Sequence, residues 1–435
     1  MAGPDPTAPP RGAAGIRNPL DPRNPLAGLY VATVLFELAE GALRFLVPIN
    51  LHDRGLRPEQ IGFVVFAFSA TSLLSRGVAG TLFRPDRARL LIVGAGLAST
   101  IAYLITPFVT HVAAFSVLMA IDGFGWGLAT TCLLAMMMLA TPPWISPAVA
   151  MGWYIGFQGI AFALATTVGG VLGEIVGVQV AMLVLATVPV AAAALISLRL
   201  PPVVRDLDAT PDAIDAAGGS IGSRAVRRLG GAVGGLRRLP VAVWAAALVA
   251  AYLNVMNSLL QSFFPILGLA LGLSIAQIGT LSSTRSAVSS LARFGAGWLF
   301  GRVSPRRLQP VLLTMSAGTL AVLPSAGAYL VQLPLFALNG ISRGLLRVTT
   351  SARAMEDTAG HQAGAAAAVM TAGLDVGKMI GPLVGGLVAG AVGVAAMFRI
   401  VPLGFLGLYV VLVVAAIRFG PSRVAEPDVR AEPAP

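Results

Sequence analysis

Residues 69–83 read SATSLLSRGVAGTLF, and residues 286–300 read SAVSSLARFGAGWLF. They align without a gap at a shift of 217 residues, which places Arg76 on Arg293. The same shift carries GLRPEQIG (55–62) onto GLSIAQIG (272–279) and Pro48 onto Pro265. It also carries Asp122-Gly123 onto Asn339-Gly340, and Gly127-Leu128 onto Gly344-Leu345. Shared apolar composition would not hold one register over so much chain. The sequence is therefore an internal duplication, and the duplicated unit sets the fold.

Each unit is membrane-soluble by composition. Of the 435 residues 56% are hydrophobic and only 11% are charged, too little charge for a water-facing surface of this size. Twelve apolar stretches of bilayer length are predicted, at about 27–49, 59–81, 90–109, 112–139, 150–173, 177–199, 241–265, 275–300, 308–330, 332–354, 363–391 and 394–418. The expected fold is an all-α membrane protein of twelve transmembrane helices in two pseudo-symmetric six-helix bundles. Because six is even, both copies cross the membrane in the same direction, as a parallel repeat about an axis along the membrane normal.

The net charge of +11 follows this topology. Arginines concentrate on alternate connections: Arg11, Arg17 and Arg23, then Arg84, Arg87 and Arg89, the run Arg205 to Arg238, and Arg302, Arg306 and Arg307. The positive-inside rule then puts both termini in the cytoplasm. The organisation read from these features is a disordered cytoplasmic tail (1–25), a first bundle (26–199), a cytoplasmic linker (200–240), a second bundle (241–420) and a short tail (421–435). Part of the linker, around Arg224, Arg227 and Arg228, can be drawn as an amphipathic surface helix or as a plain solvated segment. The tail 1–25 lacks the apolar core of a cleavable signal peptide.

Several function classes drop out. One cysteine, Cys132, and three scattered histidines offer no disulfide framework and no metal site, and no cofactor is expected. GFGWG (123–127) lies mid-span with no strand before it, so helix packing explains it better than nucleotide binding. No nucleophile–base set or phosphate loop is visible, so an enzyme is not expected. The positive charge is topological and does not indicate nucleic acid.

GTLFRPDRAR (80–89), GWLFGRVSPRR (297–307) and GKMIGPLVGG (377–386) together resemble stretches of the major facilitator superfamily. GTLFRPDRAR (80–89) is similar to the family's loop between spans 2 and 3, and GWLFGRVSPRR (297–307) to its partner between spans 8 and 9. GKMIGPLVGG (377–386) resembles the family's Gly-x-x-x-Gly-Pro-x-x-Gly-Gly helix motif. The resemblance implies a secondary transporter with spans 1, 4, 7 and 10 around a central cavity and these motifs controlling the switch. The sequence also departs from the family. Arg84 stands where the first loop usually has aspartate, Arg87 replaces a glycine, and the span-5 stretch ALATTVGG (163–170) has Ala-Thr for Gly-Pro. The loop 140–149 lacks the usual arginines.

Charges at bilayer depth are costly and normally face a cavity or an opposite charge. Glu37, Glu40 and Arg44 recur at i, i+3, i+7 and so share one stripe of span 1; at the 217-residue shift they become Asn254, Asn257 and Gln261 in span 7. Asp122 on span 4 matches Asn339 on span 10. Burial disfavours the ionised form of a carboxylate, so a cavity acid can load a proton on one side and release it on the other. Glu37 is the first candidate for that role, with Glu40 or Asp122 second; a Glu40–Arg44 pair that only stabilises span 1 is the plainer alternative. Arg44, Trp126, Asn254, Asn257, Gln261, Arg285, Asn339 and Arg343 are the candidate substrate contacts. Trp153, Tyr154, Phe157 and Met136 to Met138 form a candidate apolar wall. Arg76, Arg293, Asp375, Lys378, Gly381 and Pro382 are assigned to gating. Lys378, the single lysine of the chain, sits three residues after Asp375 and is expected to pair with it, as a static pair or as one that changes partner.

The functional expectation is a proton-coupled, alternating-access transporter of a small amphiphilic or organic-ion substrate. It is read as a monomer of the bacterial inner membrane, with efflux favoured over uptake. The alternatives are uptake of an organic anion held by Arg285 and Arg343, and a non-transporting scaffold or sensor of the same fold.

Overall fold

The computed structural model describes residues 19–20, 24–142, 145–199, 241–356 and 363–419. The linker 200–240, the tail 421–435 and most of the tail 1–25 fall outside them. The described residues form twelve long helices in place of the twelve expected spans. In chain order these are α1 Ala27–Asp53, α2 Pro58–Leu82, α3 Ala88–Ile105, α4 Val112–Ala140, α5 Pro147–Val176 and α6 Val178–Arg199. The second half has α7 Val241–Ala270, α8 Ile275–Phe300, α9 Pro305–Val322, α10 Tyr329–Glu356, α11 Ala363–Val392 and α12 Val394–Phe419.

Nine of these helices are long and apolar enough to cross a membrane by length and composition alone. The other three are α1, α8 and α10. They carry the intramembrane charges Glu37, Glu40, Arg44, Arg285, Arg293, Arg343 and Arg347, which lower their mean hydropathy. The exceptions therefore point to the site.

Local chemistry repeats with the duplication. Four helices end in a glycine with positive φ: Gly55 and Gly272, 217 residues apart, and Gly177 and Gly393, 216 apart. Only glycine takes that conformation cheaply, so these positions fix the turns α1–α2, α7–α8, α5–α6 and α11–α12. The next helices start alike. The backbone N–H of Arg57 donates to Gln60 Oε1 at 2.9 Å, and that of Ser274 to Gln277 Oε1 at 3.0 Å. Both caps satisfy an N-terminal donor that the helix itself leaves open.

Helices α1–α6 pack among themselves and α7–α12 do likewise, while α2 packs on α11 and α5 on α8 across the halves. Glycine permits these cross-half contacts. A Cβ built on Gly386 would stand 2.8 Å from the Pro58 carbonyl oxygen, and one on Gly170 would stand 2.7 Å from that of Ile275. A Cβ on Gly62 would collide with the Pro382 carbonyl, and one on Gly279 with that of Thr166. All four contacts lie toward the end that carries the α1–α2 and α7–α8 turns, so the halves are closed there. Toward the other end Gly77, Gly152, Gly156, Gly295 and Gly297 have open space where a Cβ would go.

Candidate functional site

The central site is built from α1, α2, α4, α5, α7, α8 and α11. On α1, Glu37 is buried and its Oε1 accepts a 2.6 Å hydrogen bond from Gln158 Nε2 on α5. One turn on, Glu40 has no exposed surface; its Oε1 lies 3.2 Å from Arg44 Nε and 3.5 Å from the Tyr103 hydroxyl of α3. Asp122 of α4 is equally buried and lies beside Glu40, Tyr103 and Ser99. Neither Asp122 oxygen has a partner in hydrogen-bond geometry among the described residues. Two buried carboxyl groups thus lie side by side.

Basic groups stand against aromatic faces beside that pair. The Arg44 guanidinium lies 4.7 Å from the Trp126 ring centroid, 5.0 Å from Phe68 and 5.8 Å from Phe162. Lys378 Nζ is 4.2 Å from the Trp126 centroid and Arg76 is 5.8 Å from it. A ring face attracts a cation most strongly when water is excluded. The expected Asp375–Lys378 pair is not formed. Asp375 Oδ1 instead binds Arg76 Nη1 of α2 at 3.2 Å. Helical spacing made a pair on one face possible, and packing of α2 against α11 supplied a nearer cation.

Two small cavities lie between the halves. Arg44 and Gln261 line both. The first adds Phe68, Ser69, Ser258 and Lys378; the second adds Phe162, Ser282, Ser286 and Arg285.

The remaining candidates divide. Asn257 Oδ1 accepts from Arg285 Nη2 at 2.7 Å, so it orients the guanidinium. Asn254 Nδ2 donates to the Leu374 carbonyl of α11 at 2.7 Å and is used in helix packing. Asn339 turns to α9, where its Nδ2 meets Thr319 Oγ1 at 3.1 Å, away from both cavities. Arg343 is half-buried and within electrostatic reach of Arg285, Arg293 and Arg347. Arg293 Nη2 lies 3.5 Å from Ser289 Oγ on its own helix. Gly381 packs on Val255 and Ser258 of α7, and Pro382 sits against Gly62 at the closed end. Of the proposed apolar wall, Tyr154, Met136 and Met137 are buried, whereas Trp153 and Met138 are exposed. Sequence reasoning missed Phe68, Phe162, Gln158 and Tyr103. The signal for the first two was the repeat: Phe68 aligns with Arg285, and Phe162 with Lys378 at the 216-residue shift that holds between α5 and α11.

Comparison with known proteins rests on this geometry. The profile of the Major Facilitator Superfamily matches residues 29–372 and, in a second match, 246–435. The chain belongs to the major facilitator superfamily. Like other members of that superfamily it is a multi-pass membrane transporter of small-molecule substrates and not an enzyme. No curated protein matches the sequence. Among solved structures, a mutant of the nucleoside transporter NupG is similar with a TM-score of 0.71 and 14% identity, over 92% of this chain and all of that one. A bacterial homolog of the human lysosomal transporter Spinster, in an inward-facing and unoccupied conformation, is similar with a TM-score of 0.68 and 15% identity, over 90% of this chain and 95% of that one. At such identities the likeness is one of fold. This superfamily member therefore has its architecture in common with both, while its site must be read from its own residues.

Proposed function

We propose that this chain is a proton-coupled secondary transporter of a small amphiphilic or organic-ion substrate, working by alternating access around the two central cavities. The observation that carries the reading is the cluster Glu37, Glu40 and Asp122, three buried carboxyl groups beside the cations of the cavity. Glu40 and Asp122 lie together away from water. Two adjacent carboxylates there repel each other, so the pair is suited to carry one proton between them. Glu37 is held by an amide donor and lies within electrostatic reach of Arg44, Arg76 and Lys378. A change of charge in the acid cluster is thereby felt by the cations that would hold substrate. With cytoplasmic termini in a bacterial inner membrane, the close contacts at the α1–α2-turn end would shut the outer face, as in an inward-facing state.

The test is transport by purified protein in liposomes under an imposed pH gradient. Glu37→Gln is expected to abolish gradient-driven movement and to leave substrate exchange measurable, and the sign of the gradient that drives accumulation gives the direction. Full gradient-driven transport by Glu37→Gln would remove Glu37 from the coupling path.

A further inference from the structure

The two central cavities are images of each other under the duplication. The shift of 217 carries Arg44 onto Gln261 and Phe68 onto Arg285, while the shift of 216 carries Phe162 onto Lys378. The second and third image pairs split between the cavities, whereas Arg44 and Gln261 line both. Lys378 faces the cavity lined by Phe68, and Arg285 faces the one lined by Phe162. In both, the first half of the chain contributes a phenyl ring and the second half a cation, with Arg44 and Gln261 between them.

Neither cation is in contact with a counter-ion, although Glu37 and Asp375 lie within electrostatic reach of Lys378. Among the described residues no carboxylate comes within ion-pair distance of Arg285 or Lys378. Arg285 is only 4% exposed; its Nη2 is bonded to Asn257, but its Nε has no partner. Arg44 is paired with Glu40, yet its Nη2 is also without one. Arg343 adds a further cation beside Arg285. Buried charge left uncompensated is strongly unfavourable, so a ligand that supplies negative charge gains more here than a neutral or cationic one. The apolar ring opposite each cation suits an apolar body attached to the acidic group.

We propose that the two cavities are duplicated half-sites for one ligand class, an organic anion with an apolar or aromatic body, its acidic group held by Arg285 or Lys378 and its body against Phe162 or Phe68. This rests on the reading that the central cavities are the substrate site. A ligand seated in either half-site touches both halves of the chain. Binding would therefore link the two halves through the ligand.

The probes are three naphthalenes of equal size: 2-naphthoate, naphthalen-2-ylmethanol and naphthalen-2-ylmethylammonium. Thermal protection of the purified full chain is measured with each, for the wild type, Arg285→Gln and Lys378→Gln. Naphthoate should protect the wild type, and each variant should weaken its apparent affinity at least tenfold while leaving that of the alcohol unchanged. Removing an unpaired buried charge should leave the ligand-free melting temperature at or above wild type, so loss of binding would not reflect loss of fold. The anion assignment is overturned if naphthoate fails to protect the wild type, if the ammonium or alcohol protects equally well, or if both variants bind naphthoate normally. Placing the site is a separate measurement: with Gln261→Cys in a Cys132→Ala background, bound naphthoate should slow alkylation of the introduced thiol. Thermal protection without slowed alkylation would overturn the central-cavity reading itself.

Discussion

Arg76 on α2 and Asp375 on α11 meet at 3.2 Å across the two halves of the chain. Arg76 is the residue whose repeat partner, Arg293, has no carboxylate within ion-pair distance among the described residues. The duplication therefore keeps one cross-half ion pair and lacks the other. Both side chains are partly exposed, at 39% and 23%, so water screens the pair and its contribution is modest.

The pair should bias the closed arrangement of α2 on α11. Asp375→Asn is expected to change transport by about fivefold, the weight of an interaction of about 1 kcal/mol. Exchanging the charges, Arg76→Asp with Asp375→Arg, should recover most of the loss. Exchanging Asp375 with Lys378 should recover none, because those two residues are not partners. Recovery by the second exchange and not by the first would reverse the assignment.

The glycine contacts at the closed end give a second expectation. A methyl group at Gly62 or Gly279 meets a backbone carbonyl, which cannot turn aside as a side chain can. Overpacking of this kind costs about 1–3 kcal/mol. Gly62→Ala and Gly279→Ala should each shift the protein toward opening at that end. Labelling of Gln261→Cys by an impermeant maleimide, in a Cys132→Ala background, should rise about tenfold from that side, as a change of about 1.4 kcal/mol requires. Unchanged labelling in both variants would show that these crossings do not limit access.

The carboxyl pair should behave as one unit. Glu40→Gln and Asp122→Asn are each expected to reduce pH-driven transport by at least about tenfold, equivalent to about 1.4 kcal/mol. The double variant should be no worse than the worse single one, since groups acting on the same proton are not additive. Losses that multiply in the double variant would assign the two acids separate roles.

Orientation can be read with an impermeant thiol reagent on intact cells, again without Cys132. A cysteine at His52, exposed in the last turn of α1, should be labelled. One at Ser220, in the linker, should be protected until the membrane is opened. The reverse pattern would invert the topology and exchange the inner and outer faces of the gate.

By itself the sequence determined the twelve helices and their duplication, whereas their ends were only approximate: the stretch 308–330 runs past α9, which stops at Val322. These depend on contiguous residues: apolar length, a proline or a cap at a helix start, a glycine that can take positive φ at its end. Arginine placement and the register of the repeat are likewise properties of the string. It also marked Glu37, Glu40, Asp122, Arg44 and Arg285, because a charge in an apolar run is conspicuous without any structure. The tertiary structure alone decided which charges meet. Helical spacing placed Asp375 and Lys378 on one face, but ion pairing also depends on what stands opposite, and α2 brought Arg76 there. The amides Asn254 and Asn339 are directed by the same logic to neighbouring helices instead of the cavity. Phe68 and Phe162 carried no mark of their own, since a phenylalanine in a membrane helix is unremarked until packing places a cation over its ring. Local chemistry sets where a helix runs and which side chains it presents, whereas the partner of each side chain is fixed only when seven helices close on one centre.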